Sequence, residues 1–422
     1  MKQLLIIIIC LLLTGCSYMP SFKDHTTSYT GTIVDINSST ITIDIDGSLH
    51  TYEVTNTSSY TKKSVVKIEL TADNELLSIE IIDTYTIDDY INDLIKTMTI
   101  EEKIGQLFLV RYDSENYEAQ LEDYHIGGII FFAKDFRSET KDSVKKRSDT
   151  LQSSSNIPLL MAVDEEGGVV NRISLYKAFR GVPFWSSQDL YNEGGWNLVI
   201  SDTIEKSTLL KELGMNVNMG PVVDVSTNST DYIFKRSFGK HALLTADYAT
   251  HVVRTMDEQQ IGSVLKHFPG YGNNKDTHTG IAIDNRDYET FLSSDFLPFI
   301  AGIEAGSDAV LVSHNIVTCM DDVPASLSSR VHEILRNDLA FDGVIMCDDL
   351  FMDAITTYTD NQNAAISALL AGNDLLCCTN YEEQVPAAIE AAKNGVIPIK
   401  QIDESLYRVL NWKYELGLLT IN

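Results

Sequence analysis

Lys266, His267, Asp276 and His278 fall within thirteen residues of one another, in the stretch IGSVLKHFPGYGNNKDTHTGIAIDN that runs from Ile261 to Asn285. An imidazole with an ordinary pKa near 6.5 can both give and take a proton at neutral pH, and a carboxylate two residues away can orient its ring and favour the charged form. The apolar run Gly262 to Leu265 reads as a buried strand that delivers a cation and an imidazole to its end. A Pro-Gly, a second Gly and a polar loop follow, and that loop carries Asp276 and His278. The glycines let backbone approach a ligand closely. Such a set is suited to acid/base chemistry on a bound substrate. A second candidate is GVIMCDDL, Gly343 to Leu350, where an apolar strand ends directly in Asp348 and Asp349. Side chains one residue apart at a strand end point apart, so only one of the two can face a substrate.

The segment Lys266-His267-Phe268-Pro269-Gly270-Tyr271-Gly272, followed by Asp276-Thr277-His278, resembles the K-H-F-P-G-x-G and D-[ST]-H signature of glycoside hydrolase family 3, in its β-N-acetylglucosaminidase branch. The resemblance runs from about Tyr85 to the C-terminus and leaves the front of the chain uncovered. It implies a retaining exo-β-N-acetylglucosaminidase that needs no metal or organic cofactor. Asp348, in a motif ending Leu350-Phe351-Met352, would be the nucleophile that traps the sugar as a covalent ester. His278, held by Asp276, would be the general acid/base. Asp164, Arg172, Arg236, Lys266 and His267 match positions that bind the non-reducing sugar in similar enzymes. Terminal β-linked N-acetylglucosamine on cell-wall muropeptides or chitin-type fragments is the implied substrate. A phosphorolytic variant, a β-glucosidase and a non-catalytic surface sugar-binding lipoprotein are the alternatives. Two positions depart from the pattern: Tyr271 stands where relatives often have His, and Val169 where they often have a basic residue.

These residues need a scaffold, and from Tyr85 onward the hydrophobic period is helical, then alternates strand with helix. Candidate strands are Leu107–Arg111, Gly128–Phe132, Leu159–Val163, Met215–Val217 running on toward Val225, Gly262–Lys266, Ala309–Ser313, Gly343–Cys347 and Asp374–Cys378. Helical stretches include Val199–Leu213, Ala242–Gln260 and Glu382–Lys393. Continuously apolar strands separated by helices suggest a parallel sheet closed as a (β/α)8 barrel of the TIM type, whose catalytic groups sit at the C-terminal strand ends. An open doubly wound sheet shows a similar rhythm, and the resemblance to family 3 implies the closed barrel. Those ends carry Asp164, Asp224, Lys266-His267, His314 and Asp348-Asp349.

Residues 28–84 alternate with the period of strands and are punctuated by turn signals, giving a small all-β domain of five strands, a barrel or sandwich, ahead of the α/β barrel of residues 85–422. Before it, Lys2, an apolar run from Leu4 to Leu13 and then Leu13-Thr14-Gly15-Cys16 have the form of a secretory signal ending in a lipobox. This predicts a signal over residues 1–15, lipid on Cys16, a linker over 16–27 and an extracytoplasmic enzyme anchored to the cell membrane. Buried acyl chains contribute about 0.8 kcal/mol per methylene to such an anchor. The net charge of −28 over 422 residues argues against nucleic acid as a partner. Cys347, Cys377 and Cys378 lie in apolar runs and read as buried thiols, and none of the cysteines has metal-ligand spacing.

Overall fold

A computed structural model describes residues 26–274, 276, 280–359 and 363–421. The chain folds as two compact units, one reaching to Ile87 and the other spanning Asp88–Thr420.

The first unit is an antiparallel sheet of β1 (Thr27–Ile36), β2 (Thr40–Ile45), β3 (Ser48–Glu53), β4 (Val65–Leu70) and β5 (Leu76–Asp83), in the order β3-β2-β1-β4-β5. Strict alternation in β2 and β4 turns Ile41, Ile43, Ile45, Val66, Ile68 and Leu70 to one face, where they pack with Ile33. Asp46 and Gly47, both at positive φ, make the two-residue turn that joins β2 to β3. The sheet is open, with β3 and β5 at its edges, rather than the barrel or sandwich expected from five short strands.

The second unit is a closed barrel of eight parallel strands. They are β6 (Phe108–Arg111), β7 (Gly128–Phe131), β8 (Leu160–Val163), β9 (Val217–Asn218), β10 (Gly262–Phe268), β12 (Ala309–Val312), β14 (Val344–Cys347) and β15 (Leu375–Cys378). Two short strands, β11 (Ile283–Asp284) and β13 (Ile316–Val317), pair outside the barrel. Pairing of Leu376 with Phe108 closes the ring between β15 and β6. Helices cover the outside, which is why the strand residues are buried almost without a break.

Two expected boundaries are corrected. The fourth strand is only two residues long because Met219-Gly220-Pro221 follows, and Pro221 has no N–H to give the ladder. Contact with β10 resumes as a single bridge, Val222 to Lys266. The helix expected from Val199 begins at Ser187, capped by Ser186, and runs to Glu212 across a break at Gly195.

One aromatic cluster fixes the strand that carries Lys266 and His267. Phe268 stacks on Phe296 at 5.5 Å and meets Phe299 edge-on at 5.2 Å. Such pairs contribute about 0.5–1.5 kcal/mol each beyond burial. The end of β10 is thereby held against the helix Phe296–Glu304.

Candidate active site

The C-terminal strand ends surround a cavity of about 640 Å³, lined by Asp164, Arg172, Arg236, Lys266, His267, Asp276 and Asp348 among others. That volume suits a small ligand such as one or two sugar rings.

Lys266 is the hub of its polar wall. Its side chain is 3% exposed, and Nζ stands 2.8 Å from Asp164 Oδ1 and 2.7 Å from Glu166 Oε1. Arg236 completes the cluster with two hydrogen bonds to Glu166, Nε to Oε2 at 3.0 Å and Nη2 to Oε1 at 2.7 Å. Burial by itself would push the Glu166 carboxyl up. The charges of Lys266 and Arg236 outweigh it and hold that carboxyl well below the usual carboxylate range. Burial also opposes the charged form of Lys266, but Asp164 and Glu166 overcome it and raise the ammonium above its ordinary value. Arg172 stands further off, with Nη2 3.7 Å from Asp164 Oδ2.

His267 points into the same network although it follows Lys266 directly. The β10–β12 register shifts between Lys266 and Phe268, and an irregularity of that kind re-aims side chains that would otherwise alternate. The Lys266–His267 peptide is cis. His267 Nδ1 is 2.7 Å from Asp224 Oδ2, and Nε2 is 3.2 Å from Arg236 Nη2. Asp224 also accepts the N–H groups of His267 and Tyr271. One buried carboxylate therefore fixes both the imidazole and the start of the loop that follows.

Glu165 explains the hairpin around Asp164. It is fully buried and accepts the N–H groups of Arg172, Ile173 and Ser174 and the Ser174 hydroxyl. Gly167, at φ 96, lies against the Trp185 carbonyl, where a side chain would not fit. The loop bearing Asp164 and Arg172 is thus tied to a scaffold carboxylate.

Asp348 follows β14 at the mouth, and its Oδ1 accepts the Asp349 N–H at 2.9 Å. Asp349 ties two loops together. Its carboxylate accepts the N–H groups of Phe351 and Thr379, both at 3.0 Å, and the Thr379 hydroxyl, linking the loops after β14 and β15. Both residues line the cavity, and the Asp349 carboxylate is the one that ties these two loops. His314 is buried and bonded to Ser326 Oγ and the Asp349 carbonyl, a structural position. Cys347, Cys377 and Cys378 are buried free thiols, and burial raises all three well above the usual thiol range.

His278 lies outside the described residues, as do Cys16 and residues 1–15, where a signal is expected. Asp276 is described and lines the cavity beside Tyr232, whose phenol is raised by burial and then by the Asp276 carboxylate. The base of that loop is anchored by Arg286, which bonds Asp284 at 2.8 Å, Asp295 at 2.9 Å and the Gly270 carbonyl at 3.2 Å. Gly270, at φ 125, packs against the Asp295 carboxylate. Among the described residues no group of three or more His, Cys, Asp or Glu side chains is arranged to hold a metal ion.

Sequence reasoning did not single out Glu166, Tyr232 or Arg286. Glu166 sits two residues beyond Asp164 in VDEEGG, a spacing that returns a strand-end side chain to the same face. Tyr232 and Arg286 had no comparable signal.

Residues 99–412 match the model of the glycosyl hydrolase family 3 N terminal domain. The chain is 31% identical over 274 residues to a beta-hexosaminidase of Hydrogenovibrio crunogenus, covering 62% of this chain and 74% of that protein. It is also 31% identical to a beta-hexosaminidase of Nitrosomonas eutropha, covering 63% of this chain and 78% of that protein. Among solved structures, the family 3 beta-N-acetylglucosaminidase of Paenibacillus sp. str. FPU-7 superposes with a TM-score of 0.72 at 29% identity, over 77% of this chain and 65% of that one. A match of this extent, on a closed eight-stranded barrel, means that the chain belongs to glycosyl hydrolase family 3 and is a glycoside hydrolase.

Proposed function

We propose that the protein removes terminal β-linked N-acetylglucosamine by a two-step retaining mechanism, with muropeptide or chitin-type fragments as substrates. The observation that carries this reading is the division of labour around the mouth: a fixed cluster of Asp164, Lys266, Arg236 and His267 on one wall, with the carboxylates of Asp348 and Asp276 lining the same cavity. The fixed wall offers acceptors and donors in set positions, as the hydroxyls of a non-reducing sugar require. In the first step Asp348 attacks the anomeric carbon while His278 protonates the departing oxygen. In the second, His278 takes a proton from water, which displaces the Asp348 ester. Asp276 holds the imidazole ring and stabilises its charged form.

Release of p-nitrophenol from the β-N-acetylglucosaminide, compared with the β-glucoside, tests the substrate, with Asp348→Ala as control. Preference for the glucoside would sink the reading. His278→Ala is expected to slow turnover strongly, and least for substrates with a good leaving group; unchanged hydrolysis of a natural disaccharide excludes the role. Products made with and without inorganic phosphate separate hydrolysis from phosphorolysis. The reading includes a lipid anchor on Cys16, supported by Leu13-Thr14-Gly15-Cys16 behind a short apolar run. Cells fed radioactive palmitate should then yield labelled protein.

A further inference from the structure

Arg111 is the last residue of β6, and its side chain lines the same cavity as Asp164 and Asp348. Its guanidinium stands 4.6 Å from the centre of the Phe132 ring, and that of Arg172 stands 5.8 Å from the same ring. Two cations thus share one aromatic side chain at the mouth. Their partners differ from that of Arg236, which is satisfied by both oxygens of Glu166. Among the described residues no carboxylate comes within ion-pair distance of Arg111, and its Nε is buried without an acceptor.

Several acids of the same cavity wall and of the adjoining turns are engaged elsewhere. Asp349 is taken by Phe351 and Thr379, and Asp164 by Lys266. Asp135, on the turn after β7, feels the Arg111 charge, but its Oδ2 accepts the Phe132 N–H at 2.8 Å. Arg111 and Thr379 also line an adjoining depression of about 350 Å³ that includes Lys134, Asp113 and Glu115. Asp113 there is used by its own turn, accepting from Glu115 and Asn116.

A guanidinium in this state presents a planar fork of donors suited to an oxyanion. We propose that Arg111 is an anion-recognition residue of this active site, reading a carboxylate or phosphate-ester group carried by the sugar substrate. The proposal rests on the β-N-acetylglucosaminidase reading and deepens it from any terminal N-acetylglucosaminide to anionic ones. The anion would sit between Arg111 and Arg172 and relieve their mutual repulsion across Phe132.

The test compares matched pairs on the full chain. N-acetylglucosaminyl-β-1,4-N-acetylmuramic acid against N,N′-diacetylchitobiose isolates the carboxylate, and the 6-phosphorylated p-nitrophenyl N-acetylglucosaminide against its unphosphorylated form isolates the phosphate. Arg111→Met keeps the stem against Phe132 and removes the charge. The anionic-to-neutral ratio of kcat/KM is expected to fall by about 10- to 100-fold in one pair, and the pair that responds identifies the group. Arg111→Lys should recover part of it. An unchanged ratio in both pairs overturns the proposal, whatever happens to the absolute rates. If no member is cleaved, the N-acetylglucosaminidase reading has failed, and calorimetry decides the inference. Weaker binding of N-acetylmuramic acid or inorganic phosphate to Arg111→Met than to the wild type supports it, and equal binding overturns it.

Discussion

Glu166 and Arg236 meet through two hydrogen bonds, 3.0 Å and 2.7 Å, while the same carboxylate accepts Lys266 at 2.7 Å. The Glu166 side chain is 5% exposed, so each cation depends on it for charge compensation away from water. Removing one partner from a buried ion pair costs about 3–5 kcal/mol, because the remaining charge is left uncompensated. Glu166→Gln is therefore expected to lower the stability of the barrel by an amount in that range and to raise KM as Lys266 loses its fixed position. Urea unfolding of the two proteins measures the first effect. An unchanged midpoint would show that Glu166 is dispensable to the cluster.

Asp348 and Asp349 are adjacent but are given different work. Asp349 holds Phe351 and Thr379 with its oxygens, whereas Asp348, at the end of β14, is the carboxylate cast as nucleophile. Asp348→Asn is expected to lower kcat by on the order of 10⁴-fold or more, the scale seen when a nucleophile is removed. Asp349→Asn is expected to retain measurable turnover while losing about 1–3 kcal/mol of stability through its broken tie to Thr379. Steady-state kinetics and thermal melts on both variants decide the matter. The opposite ranking of activities would move the nucleophile to Asp349.

Much of this site was legible in the order of residues. Continuous apolar strands separated by helices announced a parallel sheet, and the resemblance to glycoside hydrolase family 3 favoured its closure into a barrel. The rule that chemistry sits at C-terminal strand ends pointed to Asp164, Lys266, His267 and Asp348. The same reasoning could not tell that Arg236 would be held by Glu166, since the two lie seventy residues apart and meet only when the loops after β8 and β9 fold together. Nor could it see that Asp224 fixes His267, because the contact depends on how the chain leaves a strand cut short at Asn218. The five-stranded sheet gave its strands through alternation but not its closure, since period two says which residues share a face and nothing about whether the edges meet.

Lys413 is fully buried in the helix Ile399–Glu415, with Nζ donating to Gln106 Oε1 at 2.6 Å. Burial pushes its pKa down from 10.5 to about 7. Between those two values the unfolded chain binds the proton and the folded chain does not, so stability rises with pH across that window and the contribution is lost as pH falls toward 7. One proton corresponds to a slope of about 1.4 kcal/mol per pH unit. Lys413→Met should remove that slope between pH 7.5 and 9.5 and be the more stable protein at pH 7.5. Parallel slopes for the two proteins would mean that Lys413 stays charged in the fold.

Tyr232 offers a test of the proposed Asp276–His278 dyad from outside it. Its phenol is raised by burial and by the neighbouring Asp276 carboxylate, and its ring lies 5.7 Å from that of Tyr271 at the start of the loop. A hydroxyl beside a carboxylate disperses part of its charge. Tyr232→Phe removes that hydroxyl and leaves the ring in place, so more of the Asp276 charge acts on the imidazole and favours its protonated form. The basic limb of the kcat/KM profile, where the general acid loses its proton, should then move to higher pH by less than about one unit. A purely structural role for Tyr232 would lower the rate at every pH and leave the limb where it was. A shift to lower pH would contradict a charge effect of Asp276 on the acid/base group.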